Sequence, residues 1–326
     1  MKGTIVYAMY FSTSKEIKRS KGEEAIKPVK SSPNYEEYFP KFKIIKVIDV
    51  EIKKVKCKIT IKYYKETNIL LEAEFSTDNL FSGKNHDIQA ELFTELKKIA
   101  QEYQPSDFYE EYTFYRTQEL VDVDKFVGKR SGLITSLLKA EPYLLTYKEI
   151  KDTIASQIRY AKDDIVILDW DGAFIIGDDA VFKETVGIIG IANIQLLNLR
   201  LLDASLEKEI DKIRDVQGKR GFFQLLTMQK LQNDIIQIRT THMIELENIE
   251  KALKFYGDWY TAKLYTLAVT KFYLDRWKTS IENKLRLIQV LYDMISTGVS
   301  ETYNLVLEAS IVVLIVLEIV IAFFLY

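Results

Sequence analysis

Two aspartates separated by one residue follow a short apolar segment and form the pair best placed for chemistry. Asp169 and Asp171 come directly after Ile165–Leu168, four consecutive apolar residues that predict a buried β-strand. Gly172 follows Asp171, and an Asp-Gly pair is typical of a tight turn between antiparallel strands. The pattern therefore predicts a β-hairpin whose second strand is Ala173–Ile176, with both carboxylates in water.

The same string, IVILDWDGA, resembles the first motif of haloacid-dehalogenase-type phosphatases, in which D-x-D-G-T follows a buried strand. The resemblance implies a nucleophile at Asp169, an acid/base at Asp171 and a magnesium ion held by both carboxylates. However, Ala173 stands where that motif has threonine or valine, and only helical patterns follow it. We therefore expect no enzyme, and a magnesium-dependent phosphatase stays an alternative hypothesis.

Composition argues against several other kinds of site. The chain has 326 residues, enough for a sizeable core, but one cysteine, Cys57, which excludes an intrachain disulfide. With two histidines, His86 and His242, a structural zinc site is not expected, and we expect no cofactor. The net charge is -2, so no global field attracts nucleic acid. A basic set on the strands leaves local phosphate contact open: Lys46, Lys53, Lys54, Lys56 and Lys58.

A long apolar segment, residues 301–326, predicts a single-pass membrane anchor. At about 1.5 Å per residue it is long enough to cross a hydrocarbon core of about 30 Å. It contains Glu308 and the more deeply placed Glu318. A carboxylate facing lipid at the centre costs about 2.5–3.5 kcal/mol, so both are expected to mark contacts with another copy or another protein. Basic residues before the segment favour a cytoplasmic N-terminal body: Lys278, Lys284 and Arg286.

The sequence changes character near residue 178. Before it, strand and helix patterns mix, and three β-rich runs predict an antiparallel meander: Phe42–Ile52, Val55–Tyr64 and Ile69–Phe75. After it, only helical patterns remain. The predicted organisation is an α+β domain over 1–178, a helical module over 179–300 and a transmembrane helix over 301–326.

The helical module is expected to be a long, coiled-coil-like hairpin. Val181–Ile213 is predicted to be a helix that is apolar nearly all round between Val186 and Leu202, so it should lie in the middle of a bundle. A heptad traced from Met228 places His242 at a core position. The following helix has apolar residues seven apart, which predict its seam: Leu267, Leu274, Ile281, Ile288 and Ile295. Thr297–Gly298 is expected to be a hinge before the anchor.

The C-terminal part resembles the "required for meiotic nuclear division" family over about residues 180–326. Members of that family end in L-E-W-I-I-I-x-L-I-x-x-E-V, and this chain has LEASIVVLIVLEI over Leu307–Ile319. Glu308 and Glu318 match in position, whereas Ala309 replaces the tryptophan. The resemblance implies a role at a membrane or organelle without an established catalytic activity.

Taken together, these patterns predict a non-enzymatic, membrane-tethered scaffold. Such a protein would self-associate through its helices and present the N-terminal domain to a cytosolic partner. The expected contacts are a lipid bilayer, further copies of the chain and an unidentified cytosolic protein. An RNA or ribosome tether that uses the lysine-bearing strands is a second possibility, and the phosphatase is a third.

Overall fold

The structure is a computed structural model that describes residues 1–15, 17, 20–26, 41–65, 67–119, 122–217, 236–237, 240 and 259–325. Two compact units divide the chain. The first comprises Met1–Leu201 and Glu245–Trp277, and the second comprises Leu202–Ile244 and Lys278–Tyr326. The predicted boundaries at residues 178 and 300 stay predictions.

The described residues form nine strands and six helices. The strands are β1 (Gly3–Thr13), β2 (Gly22–Ala25), β3 (Lys41–Ile52), β4 (Val55–Tyr64), β5 (Asn68–Thr77), β6 (Pro105–Thr117), β7 (Gln157–Ile158), β8 (Ile165–Leu168) and β9 (Gly172–Ile176). The helices are α1 (Lys84–Gln101), α2 (Val123–Leu138), α3 (Tyr147–Ala155), α4 (Asp179–Gln217), α5 (Trp259–Lys271) and α6 (Leu274–Leu325). This content confirms the α+β class.

All nine described strands belong to one mixed sheet with the order β2-β3-β4-β5-β1-β6-β9-β8-β7. Neighbouring β3, β4 and β5 are antiparallel, which confirms the predicted meander. Only β6 and β9 run parallel among the described strands, and their pairing begins at Thr113 opposite Gly172. The first part of β6 therefore has β1 on one side and no described strand on the other.

Both faces of the sheet are covered at its centre, as the alternation along β1 shows. Ile5, Tyr7 and Met9 belong to a buried cluster that includes Leu92 of α1 and Ile134 of α2. Val6, Ala8 and Tyr10 point to the opposite face and are also buried. Because side chains alternate along a strand, a β1 without a polar residue other than tyrosine from Ile5 to Phe11 requires packing on both sides.

The first half of α4 covers this second face. A Cβ added at Gly190 would lie 3.5 Å from the Tyr10 hydroxyl oxygen, so the helix backbone closely approaches β1. This part of α4 has buried apolar residues on all its sides: Ile188, Ile189, Ile191, Ala192, Ile194, Leu196, Leu197 and Leu199. The expected position in the middle of a helical bundle is therefore wrong for this segment, because its apolar surface is buried in the unit that contains the sheet. Although α4 is long and apolar enough to span a membrane, it is mostly buried.

The predicted coiled-coil hairpin is not shown by the structure. The heptad from Met228 and the core position of His242 lie outside the described residues. The following helix is divided into α5 and α6, and Tyr273 between them has a φ of 52°. A bulky residue in this left-handed region marks a break in the helix rather than a continuous seam. The hinge expected at Thr297–Gly298 is absent, since α6 is continuous from Leu274 to Leu325.

Candidate functional site

The β8–β9 hairpin places Asp169 inside the protein, where the sequence pattern predicts an aspartate in water. Asp169 is 4% exposed. Its Oδ2 accepts a hydrogen bond of 2.9 Å from Thr153 Oγ1 and lies 3.0 Å from Lys139 Nζ. Its Oδ1 accepts one of 2.8 Å from the Trp170 backbone N–H and lies 3.5 Å from Lys271 Nζ. The predicted hairpin is confirmed, whereas the solvated position of Asp169 is wrong, because two lysines and a threonine enclose its carboxylate.

The pKa values of the two aspartates are shifted in opposite directions. Burial acts to raise the pKa of Asp169, but the bonds from Lys139 and Trp170 and the charge of Lys271 hold that pKa below its ordinary value. Asp171 is exposed, and its pKa is raised by partial desolvation and by the neighbouring charge of Asp169. No group of three or more His, Cys, Asp or Glu able to hold a metal occurs among the described residues. The phosphatase hypothesis stays a prediction.

Next to this hairpin lies a cavity of about 440 Å³, which we call the β6-edge cavity. It opens where β6 has no described strand beside it, and it is lined from both faces of the sheet. One side is formed by β1, α1 and α2, and the other by α4 and the β8–β9 turn. The polar and aromatic side chains that line it are Tyr7, Gln89, Glu110, Glu111, Tyr112, Thr113, Tyr115, Trp170, Asp171, Asn193 and Arg200.

Glu110 is the buried charge of this cavity. It lies on β6, is 7% exposed, and its Oε1 is 2.8 Å from Arg200 Nη1 of α4. Burial raises the pKa of Glu110 to about 7, although the charge of Arg200 opposes the shift, and Glu111 adds to it. Glu111, by contrast, is exposed at the mouth and accepts a hydrogen bond from the Tyr7 hydroxyl.

The pKa of Glu110 predicts a pH-dependent contribution to stability. Between about 4.5 and about 7 the folded chain holds a proton on Glu110 that the unfolded chain has lost. Stability from this group is therefore fully present below about 4.5 and declines as the pH rises to about 7. The free energy of unfolding of wild type minus that of Glu110→Gln should fall by on the order of 3 kcal/mol across this range. Urea titrations at several pH values check this, and a flat difference would contradict it.

Sequence reasoning missed Glu110, Arg200 and Lys139, although each left a signal. Arg200 is the single charged residue in the apolar stretch 186–202, and a lone charge near the end of such a buried stretch needs a partner. Glu110 sits in the string DFYEEYTFYR, for which the sequence indicated a strand with half-buried tyrosines. Lys139 gave the weakest signal, because it directly follows α2 and nothing local connects it to Asp169.

The predicted anchor residues lie on an exposed helix. The segment Asn304–Phe323 of α6 is long and apolar enough to cross a membrane, and none of its most apolar stretch is buried. Glu308 and Glu318 are both exposed on it. Along a helix axis they lie about 8 and 7 Å on either side of the middle of this segment. The structure therefore shows a C-terminal apolar helix with two carboxylates, each about halfway between its middle and one of its ends.

The predicted seam residues have different surroundings. Leu267 is partly buried on α5, whereas Leu274, Ile281 and Ile288 are buried on α6. In the second unit, Lys284 Nζ lies 2.7 Å from both Asp203 Oδ1 and Glu207 Oε1, which places α6 beside α4 there. Ile295 belongs to α6, and His242 lies outside the described residues.

The lysines considered for nucleic acid lie at exposed positions on β3, on β4 and in the turn between them, and three of them lie beside acids. Lys58 on β4 is opposite Asp49 on β3 and Glu74 on β5, and Lys56 is opposite Glu51. Lys53 pairs with Glu91, with 3.2 Å between the Nζ and Oε1 atoms. Lys46 and Lys54 are also exposed. This surface carries both signs of charge, and the RNA or ribosome tether stays a prediction.

Comparison with known proteins identifies a family for the N-terminal part of the chain and a relative for most of its length. A family model described as "Uncharacterized protein MJ0711, N-terminal domain" matches residues 2–183. The uncharacterized protein MJ0711 of Methanocaldococcus jannaschii is 34% identical over 290 residues, which cover 89% of this chain and 88% of that protein. No solved structure matches the chain.

These findings overturn the resemblance to the "required for meiotic nuclear division" family, since nothing links the chain to it. That resemblance rested on an apolar helix with two glutamates, a pattern that unrelated spanning helices can share. The family match instead covers the half of the chain where the resemblance was faint. The matched residues include Glu110, Glu111, Lys139, Asp169 and Asp171. The chain therefore belongs to the family defined by the N-terminal domain of the uncharacterized protein MJ0711.

Proposed function

We propose that this protein is a non-enzymatic, membrane-tethered scaffold that self-associates through its helices and holds its α+β body at the bilayer for a cytosolic partner. The observation that carries the proposal is the exposure of Asn304–Phe323. An exposed helix of 20 residues that are mostly apolar is unfavourable in water, because each methylene removed from water gains about 0.8 kcal/mol. A lipid bilayer is an environment in which such a helix is stable.

The tether is tested with two arginines placed in the apolar segment. Leu314→Arg with Leu317→Arg should release the chain from membranes, because each arginine near the centre costs about 2.5–3.5 kcal/mol. The matched control is Leu287→Arg with Val290→Arg, which has the same spacing on an exposed part of the same helix. The measurement is the fraction of full-length chain that remains with membranes after alkaline extraction. Equal retention of wild type and the Leu314/Leu317 variant would contradict the proposal.

Self-association is proposed to use Glu318 within the membrane. One protonated carboxyl can donate a hydrogen bond to a carboxylate of a second copy, and this lowers the cost of that negative charge in lipid. Ile281 and Ile288 of the α6 seam are buried within this chain, so they support a coiled-coil-type contact between α6 and its own neighbouring helices. Glu318→Leu is expected to reduce the oligomer in detergent, as measured by light scattering, whereas Ser310→Leu on the same helix should leave it unchanged. An unaltered mass for Glu318→Leu would exclude this role.

A further inference from the structure

The β6-edge cavity plays no part in membrane tethering, and its volume of about 440 Å³ falls in the range of small-molecule sites. Its mouth is formed by exposed Glu111, Asp171 and Ala140. Its interior is formed by buried Glu110, Tyr112 and Thr113 of β6, with Leu138, Asn193 and Leu196 from the helices. A space with a polar mouth and a mixed interior within a single compact unit needs an explanation.

The charges that line the cavity favour a cation. Three carboxylates face it, on Glu110, Glu111 and Asp171, against the single guanidinium of Arg200. Lys139, which lies in sequence between the lining residues Leu138 and Ala140, is held by Asp169 and Glu149, with N–O distances of 3.0 and 2.8 Å. An anionic ligand would have to displace Glu110 from Arg200 and pass two carboxylates at the mouth. A positively charged ligand meets no such barrier.

Glu110 provides a second, independent observation. The side chain lines the cavity, and its Oε1 lies 2.8 Å from Arg200 Nη1, so one ion pair within the lining holds this carboxylate. Burial disfavours the charged form of Glu110, and a positively charged ligand beside it would offset that cost. The side chain is more than nine-tenths buried.

The aromatic wall indicates the shape of the ligand. The Trp170 ring is held by Phe272 and Tyr273, each with centroids 5.9 Å away, and Arg200 lies 6.0 Å from its centre. A tryptophan fixed in this way presents a preorganised apolar surface beside the carboxylates. Leu196 and Leu138 add aliphatic contacts. Such a combination suits a planar or apolar body attached to a positively charged nitrogen.

We propose that the β6-edge cavity binds a small organic cation, with an amine or amidine nitrogen donating to Glu110 and an apolar body against Trp170 and Leu196. An organic cation is favoured over a metal ion, because the described residues contain no group of three His, Cys, Asp or Glu able to hold a metal. This proposal is independent of the membrane tether, since every residue that lines the cavity belongs to the first unit.

The test uses full-length protein in detergent and pairs of ligands that differ in charge. Benzamidine is compared with benzamide, and tryptamine with tryptophol, by calorimetry at about pH 8, where the two bases are charged and Glu110 is ionised. At least one cation should bind with a Kd of about 1 mM or tighter, and its neutral isostere at least tenfold more weakly. If neither base binds better than its isostere, the proposal is overturned.

Variants locate the binding. Glu110→Gln should weaken binding of the cation at least tenfold, and Asp171→Asn should weaken it at least threefold. Glu102→Gln should leave binding unchanged, because Glu102 is exposed and does not line the cavity. Since Asp171 is exposed, its variant keeps the test valid if Glu110→Gln fails to fold. Binding that persists in both variants would overturn the site. Displacement of the bound base by magnesium chloride, but not by sodium chloride of equal ionic strength, would overturn the assignment to an organic cation.

Discussion

Replacing Lys62 by alanine is expected to lower the free energy of unfolding of the first unit by about 3–5 kcal/mol. Lys62 of β4 is 5% exposed, and its Nζ lies 2.6 Å from Glu72 Oε2 and 2.7 Å from Glu24 Oε2. Burial acts to lower its pKa, but the charges of Glu72 and Glu24 outweigh burial and raise it, so the ammonium stays charged. Without that ammonium, Glu72 is a largely buried carboxylate with no described cation within ion-pair distance.

The loss of stability arises because the buried carboxylate of Glu72 is left without a cation, and not because the ion pair itself contributes that much free energy. The double variant Lys62→Met with Glu72→Leu should therefore recover most of the loss, because an apolar pair of similar volume avoids desolvation. Urea unfolding followed by tryptophan fluorescence reports on this unit, since Trp170, Trp259 and Trp277 all belong to it. If Lys62→Ala costs less than about 1 kcal/mol, or if the double variant is the less stable one, this account is incorrect.

Lys62 also shows where sequence reasoning reached its limit. Alternation along β4 places Lys56, Lys58 and Lys62 on one face, and the sequence predicts that this face is solvated. Lys56 and Lys58 are exposed, but Lys62 is buried. The alternation along the strand is a local pattern and was predictable. The burial of Lys62 on part of that face depends on residues that are distant in sequence. The same reason explains why the meander was correct and the ion pair was missed.

The candidate site likewise has features that the sequence predicts and features that it does not. The β8–β9 hairpin follows from an apolar run and an Asp-Gly turn, both of which are local signals. The partners of Asp169 come from the end of α2, from α3 and from α5, so no spacing in the sequence connects them. The β6-edge cavity exists because β9 pairs only with the second part of β6. Such a register depends on the whole sheet.

Asp169→Asn is the second substitution expected to have a large effect, at about 3–5 kcal/mol of unfolding free energy near neutral pH. Asparagine keeps the size and one acceptor oxygen but removes the charge that balances Lys139 and Lys271. These side chains are only 25% and 23% exposed, so water does not fully replace the lost carboxylate. Thr153 Oγ1, which now donates to Oδ2, would also compete with the new amide for its orientation.

The pH dependence separates this mechanism from a simple packing defect. Because the pKa of Asp169 is held below its ordinary value, its stabilisation is present above the ordinary aspartate pKa and is lost as the pH falls through the lowered one. The difference between wild type and Asp169→Asn should therefore shrink in acid. Asp171→Asn is the matched control, since Asp171 is exposed and repelled by Asp169, and it should change stability by less than about 1 kcal/mol. A loss for Asp169→Asn that stays constant down to the lowest pH at which the wild type folds would show that geometry, and not charge, holds Asp169 in place.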